Sequence, residues 1–392
     1  MTGGGVVRED ILKRYPKDRY VCFSVGPRDQ SFGGGQLPTV LQGVPFQIRP
    51  LEATPRLRGA RFYLPVLRAL GFRVLAPWRI RQAVGFGRRH RIDLVWADLQ
   101  GEALLIAAQV AQSLGVPLVG SLWDDPEGWL RDGGYDRLAR RLLWKRFRQA
   151  LRQAWHLSTA GEAMQEAYEK EYGIKSVILR HGFDRPVFPT KMPRDANGII
   201  IGFVGNAYGP DAWQAFLAAA AQINAGARTP RIKVRAFGPG VPYRSPGVEM
   251  EDRGWQPTEA MLQEIAKTDF CYLPYWFEPQ KRRHVELSFP NKFETYLAAG
   301  RPVLFHGPAY AGIAQTIRQY GVGLCVHSLD EAEITGAVER LILDNSLKES
   351  CSRAALAAFH AEFNATKMIA NFAELIGIDP DMLLPEKVSS LR

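Results

Sequence analysis

Two glutamates and a lysine carry the chemistry this sequence is best equipped to do. Glu286 and Glu294 enclose seven residues, and Lys292 lies between them in the run Glu286-Leu-Ser-Phe-Pro-Asn-Lys-Phe-Glu-Thr-Tyr-Leu-Ala-Ala-Gly-Arg-Pro-Val303. Pro290 suits the start of a helix, residues 292–299 form its body, and Gly300 followed by Pro302 ends it before a strand. A helix N-terminus with a lysine in its first turn suits phosphate, because free N–H groups, the positive dipole end and an ammonium point the same way. Glu294 is then placed to accept hydrogen bonds from vicinal hydroxyls such as those of a ribose. Glu286 sits on the loop leading in.

Short apolar runs alternate with helical patterns along nearly the whole chain. Strands are expected at 20–25, 93–97, 117–121, 176–179, 199–204, 233–237, 270–274 and 302–306. Helices are expected at 102–114, 135–154, 162–172, 213–223, 258–267 and 292–299. Buried, non-alternating strands separated by helices are the pattern of parallel sheets covered on both faces. Three prolines in the polar stretch 185–197 deny it a helix or a central strand and make it a linker. The fold class is therefore α/β, with two parallel-sheet halves and ligands expected at the carboxyl ends of the strands, in the cleft between them.

Composition narrows the function. The chain has 392 residues, 46% hydrophobic and 23% charged, which excludes a disordered chain, a collagen repeat and a small disulfide scaffold. No uninterrupted apolar run reaches membrane-spanning length, and the N-terminus lacks the order of a signal peptide. The four cysteines are scattered as core thiols of a reducing compartment would be, so a cytoplasmic location is expected. Histidines show no metal-ligand spacing, and neither a Walker loop nor a nucleophile elbow is present. The net charge of +10 is uneven: residues 1–200 hold 31 basic against 19 acidic side chains, and residues 201–392 hold 19 against 21. Ten arginines fall in 51–100, interspersed from Arg56 to Arg91 with Phe62, Tyr63, Leu64, Leu67, Leu70, Phe72, Trp78 and Phe86. That mixture suits an anionic membrane surface better than nucleic acid, and the same apolar residues suit a core equally.

The run from Pro290 to Val303, with the Glu-x7-Glu spacing, resembles the retaining GT4 group of GT-B glycosyltransferases. The resemblance extends along the chain. Residues 117–125 look like that family's strand ending in a polar residue, and 156–164 like its strand followed by Ser-x-x-Met. Residues 177–188 are similar to its hinge, while Phe203-Val-Gly-Asn206 and Arg235-Ala-Phe-Gly-Pro-Gly240 are like its two donor-domain glycine turns. The resemblance implies two Rossmann-like domains: an acceptor domain at 1–185 with a C-terminal helix at about 365–392 packing back on it, a linker at 186–197, and a nucleotide-sugar domain at 198–364. It implies a glycosyltransferase that uses a nucleotide-diphosphate sugar, needs no essential cofactor or metal, and serves a glycan, lipid-linked or small-molecule acceptor, with polysaccharide biosynthesis at the inner membrane face as its setting. Glu294 would bind the ribose and Glu286 the donor-sugar hydroxyls. Lys292, Asn291, Ser288, Gly205, Asn206, Gly238 and Arg282 would complete the donor site; Glu286 and Asp124 would be the catalytic residues, Asp124 as a substrate-binding or acid/base group unless it caps the following helix.

The sequence departs from the family in four places. Trp123 stands where a histidine is common, and the Arg and Lys that follow the family's first donor-domain glycine turn are absent from Gly205-Asn-Ala-Tyr-Gly. Leu287 replaces a glycine after Glu286. Gly3-Gly-Gly5 resembles the glycine loop that follows strand one, with only Met1 and Thr2 before it. Either that strand is missing from this chain or 20–25 is strand one, with Gly33-Gly-Gly35 as its loop; the first is favoured. The alternatives are a non-catalytic or truncated relative, or an epimerase on the same fold.

Overall fold

The structure is a computed structural model, and it describes residues 3–26, 39–51, 64–133, 135–187, 198–226 and 230–383. The expected loop at Gly33–Gly35, nearly all of the linker, and Arg56, Arg58, Arg61, Phe62 and Tyr63 lie outside the described residues. The chain divides into two compact units, Met1–Arg180 with Met368–Arg392, and His181–Lys367.

In the first unit a parallel sheet runs in the order β3 (Val95–Asp98), β4 (Leu118–Leu122), β5 (Ala154–Thr159), β6 (Val177–Ile178). A separate parallel pair joins β1 (Cys22–Ser24) to β2 (Phe46–Ile48). The helices are α1 (Gly3–Arg14), α2 (Leu64–Arg89), α3 (Ala107–Leu114), α4 (Pro126–Asp132), α5 (Arg137–Gln153) and α6 (Glu162–Tyr172). The expected helix at 102–114 is divided, a 3-10 turn over Gly101–Leu105 preceding α3. Gly3–Gly5 form no loop: they open α1. A Cβ on Gly4 would lie 2.4 Å from the Trp123 indole, so glycine is there to let the helix rest on that ring.

In the second unit all six strands are parallel, in the order β12 (Gly323–Val326), β11 (Val303–His306), β10 (Phe270–Pro274), β7 (Ile199–Val204), β8 (Ile232–Phe237), β9 (Glu249–Asp252). The helices are α7 (Pro210–Ala225), α8 (Thr258–Ile265), α9 (Arg282–Leu287), α10 (Lys292–Ala298), α11 (Gly312–Tyr320), α12 (Glu331–Leu343) and α13 (Asn345–Glu362). The core packs Ile201, Phe203, Val234 and Tyr272 of the strands against Trp213, Phe216 and Leu217 of α7. The chain runs outward from β7 to β9, then returns to β10 and continues outward on the other side. The order therefore reverses between β7 and β10, and in such sheets ligands sit beyond the strand ends at that reversal. Helix α14 (Ala365–Ile376) begins in the second unit and ends in the first. There Met368, Ile369, Phe372, Ala373 and Leu375 pack with Val7, Ile11, Val119 and Leu179.

Candidate functional site

Helix α10 holds the site because its own ends are tightly specified. It begins at Lys292, with Asn291 as cap residue and Pro290 one position before that, so the proline lies outside the helix expected to start on it. It closes on a Schellman arrangement: Gly300 (φ +59°) donates to the Leu297 carbonyl at 2.9 Å and Arg301 to that of Tyr296 at 3.0 Å. The Tyr296 hydroxyl accepts from the Val204 N–H at 3.2 Å and donates to the Tyr272 carbonyl at 3.1 Å, pinning the helix to the end of β7 and the middle of β10. Lys292 lies one turn before Tyr296 and so faces the same way. With seven residues, α10 is only about two turns long, so the ammonium rather than the dipole carries most of the positive charge here.

Lys292 is 6% exposed. Its Nζ donates to the Asn206 carbonyl at 2.7 Å and lies 4.0 Å from the ring centre of Tyr208 and 4.5 Å from that of Phe203. Burial pushes the amine down to about 7, while the carbonyl and the two ring faces favour the charged form. Glu294 is 0% exposed. Arg301, also buried, is held by the Thr268 and Ala299 carbonyls.

The two glycine turns meet at this point. Gly205 (φ +79°) and Gly238 (φ +123°) occupy backbone conformations that side chains disfavour. A Cβ on Gly238 would stand 3.1 Å from the Gly205 Cα, so the two loops approach backbone to backbone. The Gly205 and Gly238 N–H groups donate to the Phe237 and Gly254 carbonyls at 2.7 and 2.9 Å, so what the two turns offer an anion is side-chain-free space beside the ammonium.

Glu286, expected on a loop, lies instead with Arg282 on the helix α9, where their i, i+4 spacing lets them pair, Arg282 Nε donating to Glu286 Oε1 at 2.8 Å. The guanidinium also lies over the Tyr310 ring, 4.6 Å from its centre. Ser288 is buried with its hydroxyl 3.2 Å from that of Tyr275. In the first unit, Asp124 is half-buried on the loop after β4. It caps nothing: Asp125 is the N-cap of α4, accepting from the Glu127 N–H at 3.0 Å and from the Tyr168 hydroxyl at 3.1 Å. The alternative reading of Asp124 as a helix cap is thereby displaced by one residue.

Sequence reasoning missed Tyr208, Trp276 and Asp98. Tyr208 and Trp276 stack with centroids 4.8 Å apart, and Tyr208 also faces the Lys292 amine. Gly209 (φ +58°) makes room for this, since a Cβ there would clash with the Tyr275 carbonyl at 2.2 Å. Tyr208 lies in the segment that lacks the family's Arg and Lys, and no local signal ties it to Lys292. Asp98 ends β3 and accepts from the Trp123 indole at 2.9 Å and from Arg8. Among the described residues, no group of three His, Cys, Asp or Glu side chains is placed to hold a metal ion.

Residues 14–179 match the Glycosyl transferase 4-like domain family, and residues 220–341 match the Glucosyltransferase 3-like, C-terminal domain family. No curated protein sequence matches the chain. Among solved structures, HepE of Anabaena, crystallised with UDP and glucose, is 18% identical with a TM-score of 0.66, and 96% of each chain is covered. A glycosyltransferase of Rickettsia africae is 11% identical with a TM-score of 0.59, again over 96% of each chain. Sucrose-phosphate synthase of Thermosynechococcus elongatus is 16% identical with a TM-score of 0.57, over 84% of this chain and 82% of the other.

Proposed function

We propose that this chain, a GT4-like glycosyltransferase of the GT-B fold, moves a hexose from a UDP-sugar to a hydroxyl acceptor with retention at the anomeric carbon. The observation that carries the reading is the Lys292 box: a buried ammonium beyond the end of β7, at the strand-order reversal, beside two glycine loops with no side chains in the way. The UDP and UDP-glucose complexes of HepE, which shares the fold, support UDP as the nucleotide.

In this reading the diphosphate takes its hydrogen bonds from Lys292 and from the Asn206 backbone amide, while Gly205 and Gly238, whose N–H groups donate to the Phe237 and Gly254 carbonyls, give it room by lacking side chains. These donors need no rearrangement as negative charge grows on the leaving group, and such preorganisation is how a site favours a transition state over the ground state. Glu294 accepts from the ribose hydroxyls. Glu286, already bonded through Oε1 to Arg282, has its other oxygen for a donor-sugar hydroxyl, while Arg282 keeps N–H groups for phosphate. Ser288 and Asn291 complete the donor loop, and Asp124 is the first unit's polar group for the acceptor, a glycan, lipid-linked sugar or small molecule. The departing phosphate oxygen takes the acceptor proton, so retention needs no dedicated protein base.

A thermal-shift screen with UDP, GDP, ADP, dTDP and CMP tests this. A rise in melting temperature with UDP, lost in Glu294→Ala, is expected, because a ligand of the native state stabilises it. No shift with any nucleotide would overturn the donor site. UDP binding without transfer to any acceptor would reduce the chain to a non-catalytic relative. Proton NMR of the glycoside formed from an α-linked UDP-sugar reads retention directly, and a β-product would refute it.

A further inference from the structure

The first unit carries a helix whose outer face the fold does not explain. Helix α5 holds six arginines and one lysine and no acid. Its inner side, Ala139, Leu143, Phe147, Ala150 and Leu151, is buried in the core. Arg141, Lys145, Arg148 and Arg152 recur at intervals of four, three and four, so they form one row on the outer side. With Trp144 they line an open groove of ≈ 490 Å³. Arg148 lies over the Trp144 ring at 5.7 Å, and among the described residues none of the four cations has an acidic partner. Like charges one turn apart repel, so an unopposed row costs the isolated protein stability and calls for an anionic partner.

Bulky apolar groups are exposed at the ends of α5 and on the helix packed against it. Leu138 (58% exposed) and Trp155 (51%) flank α5 at its two ends. On α2, which packs against α5, Val74 and Trp78 are exposed one turn apart, with Arg73, Arg81 and Arg88 also exposed. The core half of the sequence expectation holds for Phe72 and Phe86, which are buried. A polyanionic glycan or a nucleic acid would use the cations and leave Leu138 and Val74 in water. A lipid surface uses both, since cations meet the headgroups while tryptophan and leucine enter the interface. We infer that the outer faces of α5 and α2 dock on an anionic lipid bilayer. The inference does not depend on the donor-site assignment.

The test is co-sedimentation of the full chain with vesicles of phosphatidylcholine alone and with about 30 mol% phosphatidylglycerol, whose surface charge attracts nearby cations. Binding to the anionic vesicles alone is expected, weakening as salt rises from about 0.1 M to about 0.5 M. Neutralising two cations in Lys145→Gln/Arg148→Gln should weaken it roughly thirty-fold. Reversing two exposed charges of the second unit, in Arg340→Glu/Arg353→Glu, should leave it unchanged. Leu138→Ser should weaken binding at high salt, where only the apolar contribution is left. Equal loss in the second-unit variant would mean that overall charge does the work and would overturn the docking face. Binding of heparin or single-stranded RNA without vesicle binding would overturn the lipid assignment.

Discussion

The second unit buries most charges of its candidate site, and the first displays a basic row on its surface. Lys292, Glu294 and Arg301 are nearly or wholly buried around α10, whereas Arg141, Lys145, Arg148 and Arg152 stand in water along α5. Burying an ion is costly, so it persists only where hydrogen bonds or an incoming ligand compensate, and in return its position is fixed. An exposed ion costs little, is screened by salt and fixes nothing. Buried charge therefore reads a molecule, while exposed charge reads a surface.

Glu286 is the sharpest place to break this comparison, because it is half-exposed yet proposed for the donor site. As an ordinary surface pair with Arg282 it would be worth about 0.5 kcal/mol or less. As a group that meets the donor sugar, Glu286→Ala should cut turnover about 100-fold or more with little change in UDP affinity. Steady-state rates beside calorimetric affinities decide, and wild-type turnover would remove it from the site.

Lys292→Met should follow, weakening UDP binding about 30- to 100-fold through loss of a charged hydrogen bond. The same change should raise, not lower, the melting temperature of the unliganded protein, because it relieves a buried amine. A fall in both would make Lys292 a structural residue. Glu294→Gln keeps the shape and should cost UDP about tenfold, with a smaller loss for the pyrophosphate part alone; equal losses would remove the ribose role.

The pH dependence of Lys292 has two opposite signs. The unfolded chain keeps this proton to about 10.4, the folded chain only to about 7. The unfolded state thus binds more protons between those values, and the stability of the unliganded protein rises with pH across that window. UDP needs the protonated amine, so its affinity should fall above about pH 7, at most about tenfold per pH unit. Calorimetry at several pH values, with melting curves alongside, separates the two. The smallest effect belongs to Lys145→Gln/Arg148→Gln, which should leave UDP affinity unchanged and move stability by no more than about 0.5 kcal/mol.

The sequence made the α/β layering, the four inner strands of the second unit and the Pro290–Val303 helix-and-turn visible, because each is written in local periodicity and in glycine and proline. It could not show that α10 is buried on every side, since a run such as Phe-Glu-Thr-Tyr-Leu-Ala-Ala suits a half-exposed helix as well. Nor could it show Tyr208 beside Lys292, a contact made across more than eighty residues of chain. The shift of capping from Asp124 to Asp125 turns on backbone angles that two adjacent aspartates do not reveal. β9, whose residues Glu249–Asp252 are polar at three of four positions, lacks an apolar run because it is an edge strand. The basic row of α5 was legible in principle, from spacing and the absence of acids, but the arginine-dense stretch before it drew the reading to Arg56–Arg91.

The path of the chain through α14 sets an order of events at the ribosome. Val7, Ile11 and Val119 emerge before the second unit, yet the partners that complete their core, Met368 to Leu375, emerge after it. The second unit, by contrast, is one continuous segment and holds all its own strands before α14 is finished. Of the two units, the one begun earlier is thus the one completed later, and until then its apolar face is what a chaperone would find.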